Sequence, residues 1–425
     1  MQKHLIIASY DGINTHYCGV GTIIRNTIFS LRDFANREKI KVSLACISAD
    51  PKGKVFSSEC FEDSVELAKN TNGHLIPLCN GTAGFNEGDM WRSFPEWKND
   101  CASLATALNM ILDDKDDNVL MLHDTPFLLF TKFKQQLFGI NLRCFYLPHS
   151  SGLNHVFGDD EWRRERVKIE RDAFQSIQKD NSSKLIATGI NFAKHLIKDY
   201  DVTFKKDSCL KNGLYFDRYR KILDKRFDLS DLNRFGINLD SNSKIIFSWG
   251  RCSIVKGFKE LLEAWRDVTD LLPDYHMIIQ SPNNSGEDDY FQLLKEYEQN
   301  IPRTIVIDEF NPEIWQTILR TRNTDIVCIP SIMDPNPLAA IEAKLFSNGM
   351  GYVIVGSNAD GVKDTYNNDE CIWIDPYDKK DFSKNIIKAS RLSEEERQKM
   401  NDINKRNLSN FDYAKNIKSF LNNIW

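Results

Sequence analysis

Four side chains in the second half of the chain have the types and spacing for chemistry: two cations, Arg251 and Lys256, and two acids, Asp334 and Glu342. Arg251 follows Gly250 at the end of an apolar run, and Lys256 precedes Gly257 and a helical pattern. Two cations at the rim of a parallel sheet, beside a helix start, can neutralise a diphosphate. Asp334 and Glu342 are separated by seven residues within the stretch 331–349. A β-rich run, 325–330, leads into it. Pro335 and Pro337 forbid helix until the second proline, which suits the first helical position. From Leu338 the residues are good helix formers, and Asn348 and Gly349 supply a stop. The stretch reads as strand, loop and helix, with Asn336, Pro337 and Leu338 at a helix start whose unpaired N–H groups attract anions.

Further candidates follow the strands of the first half. Gly19 and Gly21 sit in the segment 11–22 after the first apolar run, where glycine lets backbone approach a ligand, and a helix is expected over 22–34. The third glycine of a dinucleotide fingerprint is missing. His123 with Asp124, and His149, close two successive strands, so the two histidines belong on one rim. The glycine-rich stretch 80–91 is long for a compact domain and reads as part of a second substrate's pocket. Asp308 to Phe310 end a strand one βα unit before the acidic pair.

The elements that must position these groups are short apolar runs alternating with helical patterns. Strands are expected at 4–9, 42–47, 74–78, 119–122, 143–147 and 184–187, then at 244–249, 276–280, 304–307, 325–329, 352–355 and 372–374. Near-continuous apolar strands in repeated βα units argue for α/β architecture with parallel sheets covered on both faces. The 425 residues exceed one ordinary core and fit two domains of about 200 residues. A linker is expected over 215–243, which is charged and poor in periodicity. The charged segment 161–174 reads as a solvated helix.

Composition narrows the class. Hydrophobic content of 41% and charged content of 27% are those of a globular protein. A net charge of -5 gives no basic face for nucleic acid and no general attraction to anionic lipid, although a local patch would allow peripheral membrane contact. No run approaches the ~20 apolar residues of a membrane span. The apolar part before Tyr10 is too short for a signal sequence and reads as the first strand. Ten scattered cysteines without close pairs fit reduced thiols in the cytoplasm rather than disulfides or a zinc site.

The spacing of Asp334 and Glu342, after a strand ending in Pro330 and Ser331, resembles the Glu-x7-Glu motif of retaining GT-B glycosyltransferases, most of all glycosyltransferase family 4. Asp334 stands where Glu is usual. Gly250, Arg251, Lys256 and Gly257 match that family's Gly-Arg-x4-Lys-Gly pattern residue by residue. Gly19-Val20-Gly21 resembles its donor-phosphate loop. The segments 184–188, 210–217 and 352–361 resemble further stretches of the family.

The resemblance implies a GT-B fold, with two doubly wound Rossmann-like domains facing a central cleft. Residues 1–215 would form the acceptor domain, with a terminal helix, 410–425, crossing back to it. Residues 216–409 would form the nucleotide-sugar domain. Arg251 and Lys256 would carry the departing diphosphate, with Gly19, Gly21, Gly250, Asn336, Pro337 and Leu338 around it. Asp334 would hold sugar hydroxyls, Glu342 the ribose, His149 the sugar, and the region of Phe310 the base. The donor would be a UDP- or GDP-sugar and the acceptor a glycan, lipid, small molecule or protein. No metal, cofactor or covalent protein residue is implied. Two alternatives share the fold: a nucleotide-sugar 2-epimerase, and a pseudo-glycosyltransferase that only binds.

Overall fold

The computed structural model describes residues 1–53, 55–79, 93–137, 139–154, 159–204, 208–283, 288–309, 311–335 and 337–425. The candidates Phe310 and Asn336, and the stretch 80–91, lie outside them. The chain divides into two compact units. One contains Met1–Tyr215 together with Tyr413–Trp425, and the other contains Phe216–Asp412.

In the first unit the strands are β1 (Lys3–Ser9), β2 (Ile40–Ile47), β3 (Leu75–Leu78), β4 (Asp117–His123), β5 (Leu142–Leu147) and β6 (Ser183–Leu185). They pair in parallel, in the order β3-β2-β1-β4-β5-β6. Helices α1 (Gly19–Arg37), α2 (Ser58–Asn70), α3 (Phe94–Ile111), α4 (Asp160–Lys179) and α5 (Ile190–Tyr200) connect them. Strand residues are apolar on both faces because helices cover both. Ile6, Ala45, Leu120 and Tyr146 pack with Trp97 of α3 and Phe174 of α4 in one core.

The second unit repeats the design with β7 (Lys244–Trp249), β8 (Tyr275–Gln280), β9 (Thr304–Ile307), β10 (Thr324–Ile329), β11 (Val353–Ser357) and β12 (Ile372–Ile374). Their order is β12-β11-β10-β7-β8-β9, again parallel. Its helices are α6 (Arg220–Leu223), α7 (Phe258–Val268), α8 (Asp288–Asn300), α9 (Pro312–Leu319), α10 (Leu338–Phe346), α11 (Asp360–Thr365), α12 (Lys379–Ser390) and α13 (Glu394–Asn407). On α7, Phe258, Leu261, Leu262 and Trp265 recur at helical spacing and are buried. Each such side chain stabilises the unit by roughly 1.5–3 kcal/mol. The final helix, α14 (Tyr413–Ile424), belongs to the first unit. There the Tyr413 hydroxyl lies 3.1 Å from that of Thr27 on α1, and the Phe420 ring packs on Phe145.

Numbered within its own unit, each sheet reads 3-2-1-4-5-6, the doubly wound Rossmann order. All twelve strands among the described residues lie at the apolar runs. Two expectations are corrected. The 215–243 segment is not a bare linker: it folds into 3-10 turns at Phe216–Tyr219 and Leu229–Phe235 and the short α6, and Phe227 bridges to Thr321. The helix over 161–174 is not simply solvated. Its Arg166 and Glu170 are fully buried and paired at 2.8 Å, with further hydrogen bonds from Arg166 to Thr125 and Ser150 and to Glu170 from Thr125, Gly152 and Tyr200. An even mixture of charges cannot distinguish the two cases.

Candidate functional site

Reversal of strand order opens a crevice beyond the carboxyl ends of the first and fourth strands of such a sheet. In the second unit these are β7 and β10, and the loops that follow them carry Gly250, Arg251, Lys256 and Asp334. The β7 loop runs through a one-turn 3-10 helix, Ile254–Lys256. Gly257 then adopts φ +71°, and its Cα abuts the Pro330 carbonyl so closely that a Cβ would lie 2.1 Å from the oxygen. Only glycine meets both demands. The Ile332 N–H donates to the Val255 carbonyl at 2.8 Å, and the Ser357 hydroxyl to the Ser331 carbonyl at 2.6 Å. A Cβ on Gly361 would lie 2.2 Å from the Asp334 carbonyl oxygen. The β10 loop is thus clasped between its two neighbours.

Within this clasp Lys256 Nζ lies 2.5 Å from Asp334 Oδ2. Arg251 is half-buried, with no hydrogen bond or ion pair to another described residue. Gly250 donates its N–H to the Gln280 carbonyl at 3.0 Å, tying the rim to β8. Pro337 is the N-cap of α10 rather than its first helical residue, and no side chain caps the helix start at Leu338. Its ψ of 111° is extended, so the helical geometry begins one residue later than its fixed φ suggested.

Glu342 lies on α10 and accepts a hydrogen bond from the Trp249 indole N–H at 3.0 Å. Burial pushes its carboxyl up to about 7, against the opposing pull of Trp249, Lys256 and Arg218. The Trp249 ring is stacked between Phe247 at 5.2 Å and Trp315 at 5.7 Å, both within 8° of parallel. Trp249 was not singled out from the sequence. Its only signal there was its place at the last position of a strand, next to Gly250.

In the first unit the corresponding crevice lies beyond β1 and β4. Helix α1 begins at Gly19, three residues before the expected start. Both Gly19 and Gly21 therefore stand in its first turn, Gly19 exposed and Gly21 buried. A Cβ on Gly21 would lie 2.2 Å from Asp11 Oδ2. The buried Asp11 carboxylate accepts from the Gly12, Tyr17 and Cys18 N–H groups and from the Thr15 hydroxyl, at 2.8–3.2 Å. A protein carboxylate thus stands where the α1 terminus would draw an anion. Asp11 was not legible as a partner of this loop, because it stands far before the N-cap position, Cys18, where a capping signal is sought.

His123 Nδ1 and His149 Nε2 lie 3.1 Å apart, with the rings stacked. Burial holds both imidazoles below their ordinary range, His123 well below it, while Asp124 opposes the shift at His149. One nitrogen must donate and the other accept, so the contact suits a neutral pair. Asp124 itself adopts φ +75°, uncommon for a residue with a side chain, and caps Thr125 at 2.8 Å. Nearby, Ser151 Oγ lies 2.8 Å from His195 Nε2, and His195 Nδ1 lies 2.7 Å from Asp199. Ser151 is fully buried and also contacts Asn154 Oδ1 at 3.0 Å, so this chain of groups fixes a loop rather than presenting a nucleophile.

Residues 230–407 match the family described as glycosyl transferases group 1. The match lies within the second unit and covers less than half of the chain. The matched segment contains Gly250, Arg251, Lys256, Asp334 and Glu342. No curated protein matches the chain in sequence. Solved structures match its whole length. Sucrose-phosphate synthase from Thermosynechococcus elongatus is 15% identical, with TM-score 0.73, covering 100% of this chain and 99% of that one. The trehalose-6-phosphate structure from E. coli, bound with UDP-2-fluoro glucose, is 16% identical, with TM-score 0.71 and coverage of 99% and 98%. A trehalose-6-phosphate synthase studied for glycosyl transfer with retention is 15% identical, with TM-score 0.69 and coverage of 99% and 98%. The matched segment thus sits within a chain whose fold is GT-B along its length. No helix among the described residues is long and apolar enough to cross a membrane.

Proposed function

We propose that the chain is a retaining glycosyltransferase that moves a sugar from a nucleotide-diphosphate sugar to an acceptor hydroxyl. What supports this reading is the Lys256–Asp334 ion pair joining the loops after β7 and β10, with Arg251 on the first of these loops and the uncapped start of α10 after the second. A departing diphosphate needs preorganised positive charge, usually the largest single term in such catalysis. Arg251 offers a planar, partly desolvated guanidinium, and Lys256 a point charge. With these cations in place, the leaving group needs no metal ion. Asp334 holds sugar hydroxyls, and Glu342 accepts the hydroxyls of the donor ribose. In the first unit, Gly19 and His149 are proposed as donor-binding residues, while Gly21 makes room for Asp11. Attack comes from the face the leaving group occupies, which retains configuration without a covalent protein residue.

The structural neighbour bound with UDP-2-fluoro glucose supports a UDP-sugar as the first donor to try, with a GDP-sugar as the second. The acceptor is a hydroxyl on a glycan, lipid, small molecule or protein. Buried cysteines, among them Cys46, Cys144 and Cys328, support a cytoplasmic setting. A thermal-shift panel of nucleotide sugars tests the reading, since a bound ligand stabilises by RT ln(1 + [L]/Kd). The matching donor raises the melting temperature. Nucleoside diphosphate is then released when the right acceptor is added. Interconversion of donor sugars without acceptor would replace this reading with an epimerase.

A further inference from the structure

Glu342 is held by a residue that no motif marks. We propose that Trp249 is a positioning residue that aims the Glu342 carboxylate at the donor's ribose and keeps it ionised. This rests on the reading of Glu342 as the ribose acceptor. The indole cannot easily turn, because it lies flat between Phe247 and Trp315, and Trp315 packs in turn on Phe346 and Tyr219. Its N–H therefore points from a fixed plane to Oε2, and the other carboxylate oxygen has no hydrogen bond to a described residue. The same strand end continues into Gly250 and Arg251. One rigid element thereby sets the spacing between the diphosphate cation and the ribose carboxylate.

The hydrogen bond also governs charge. A carboxylate accepts from two vicinal ribose hydroxyls, whereas a carboxylic acid has lost one acceptor position to its proton. Burial favours the acid, and the carboxyl titrates at about 7. Three groups favour the carboxylate: Trp249 at the end of β7, Lys256 in the 3-10 turn after it, and Arg218 in the 3-10 turn at Phe216–Tyr219. Of these, only the Trp249 contact is a direct hydrogen bond to Glu342 among the described residues. Donor binding should therefore weaken on acidification through neutrality, and Trp249 sets where.

Titration calorimetry with UDP and with GDP from pH 5.5 to 8.5 tests this on the full chain. The wild-type protein should bind one of them more weakly below about pH 7. Trp249→Phe keeps the stack and removes the N–H. Its midpoint should move up by about one pH unit, a tenfold shift in the protonation equilibrium. At pH 7 it should then bind several-fold more weakly, converging on wild type at pH 8.5. Glu342→Gln should bind weakly and without this pH dependence. If Trp249→Phe matches wild type at every pH while Glu342→Gln is weak, the positioning role is refuted and the ribose reading stands. If Glu342→Gln binds like wild type, or the wild-type protein binds neither nucleotide, the ribose reading falls and Trp249 with it.

Discussion

The Lys256 ammonium is held 2.5 Å from the Asp334 carboxylate, joining two loops that lie 78 residues apart in the chain. A diphosphate that uses Lys256 must share it with this carboxylate. Removing the carboxylate by Asp334→Ala should tighten binding of the free nucleoside diphosphate a few-fold. Turnover should nevertheless drop by about a hundredfold, because the group proposed to hold the sugar is gone. Calorimetry and steady-state rates read the two effects separately. Weaker nucleotide binding would show that Asp334 organises the clamp instead of competing for it.

Arg251→Ala and Lys256→Ala should each lower kcat by about 10²–10³-fold, the scale for one preorganised charge on a developing anion. Both side chains are half-buried at a rim, so the fold should survive. A circular-dichroism melt within about 3 °C of wild type checks this. Normal turnover in both variants would overturn the clamp.

Glu342 also predicts a stability trend. Its carboxyl titrates at about 7 when folded and at 4.5 as a free group. The native state therefore binds more protons than the unfolded chain between those values, and stability falls as pH rises through that window. The cost at pH 8 is at most about 3–4 kcal/mol. Glu342→Gln should thus melt higher than wild type at pH 8 and level with it near pH 4.5, while binding donor worse. Denaturant titrations at the two pH values would show equal offsets if the carboxyl were not strained.

The histidine pair predicts the opposite slope. His123 and His149 are held below the ordinary 6.5 in the fold. Their contribution is complete above that value and is lost as pH falls below it, by up to about 1.4 kcal/mol per pH unit for each. The double variant His123→Gln, His149→Gln should show a shallower fall in melting temperature between pH 6.5 and 5. Parallel curves for variant and wild type would contradict the neutral pairing.

Helix α10 is locked at its far end by a second ion pair. Lys344 and Glu370 meet at 2.8 Å with side chains 1% and 0% exposed, and Asn407 donates to the same carboxylate. Truncating one partner strands a buried charge. Glu370→Ala should therefore cost about 3–5 kcal/mol of stability, measured by urea unfolding. A loss below about 1 kcal/mol would mean that water or a neighbour takes over the pairing.

Legibility followed the range of the interactions. Strands could be read because each is a short apolar run bounded by turn residues, which is local information. The expected start of α1 at Thr22 differs from the observed one because Asp11, far up the loop, fixes the Tyr17 and Cys18 N–H groups just ahead of Gly19, a contact between residues distant in the loop. The α4 ion pair was missed because Arg166 and Glu170 look like any i, i+4 surface pair until Thr125 and Ser150 close over them.

By itself the order of residues determined the repeated βα units, the two cations flanking a glycine-punctuated turn, and the acid pair at fixed separation. Those features depend on neighbours along the chain. Tertiary structure decided the rest: that Lys256 meets Asp334, that Trp249 rather than a cation grips Glu342, and that Asp11 sits under α1. The physical reason is strand order. Placing β7 beside β10 brings loops from distant parts of the chain onto one rim, and no local preference encodes which side chains then touch.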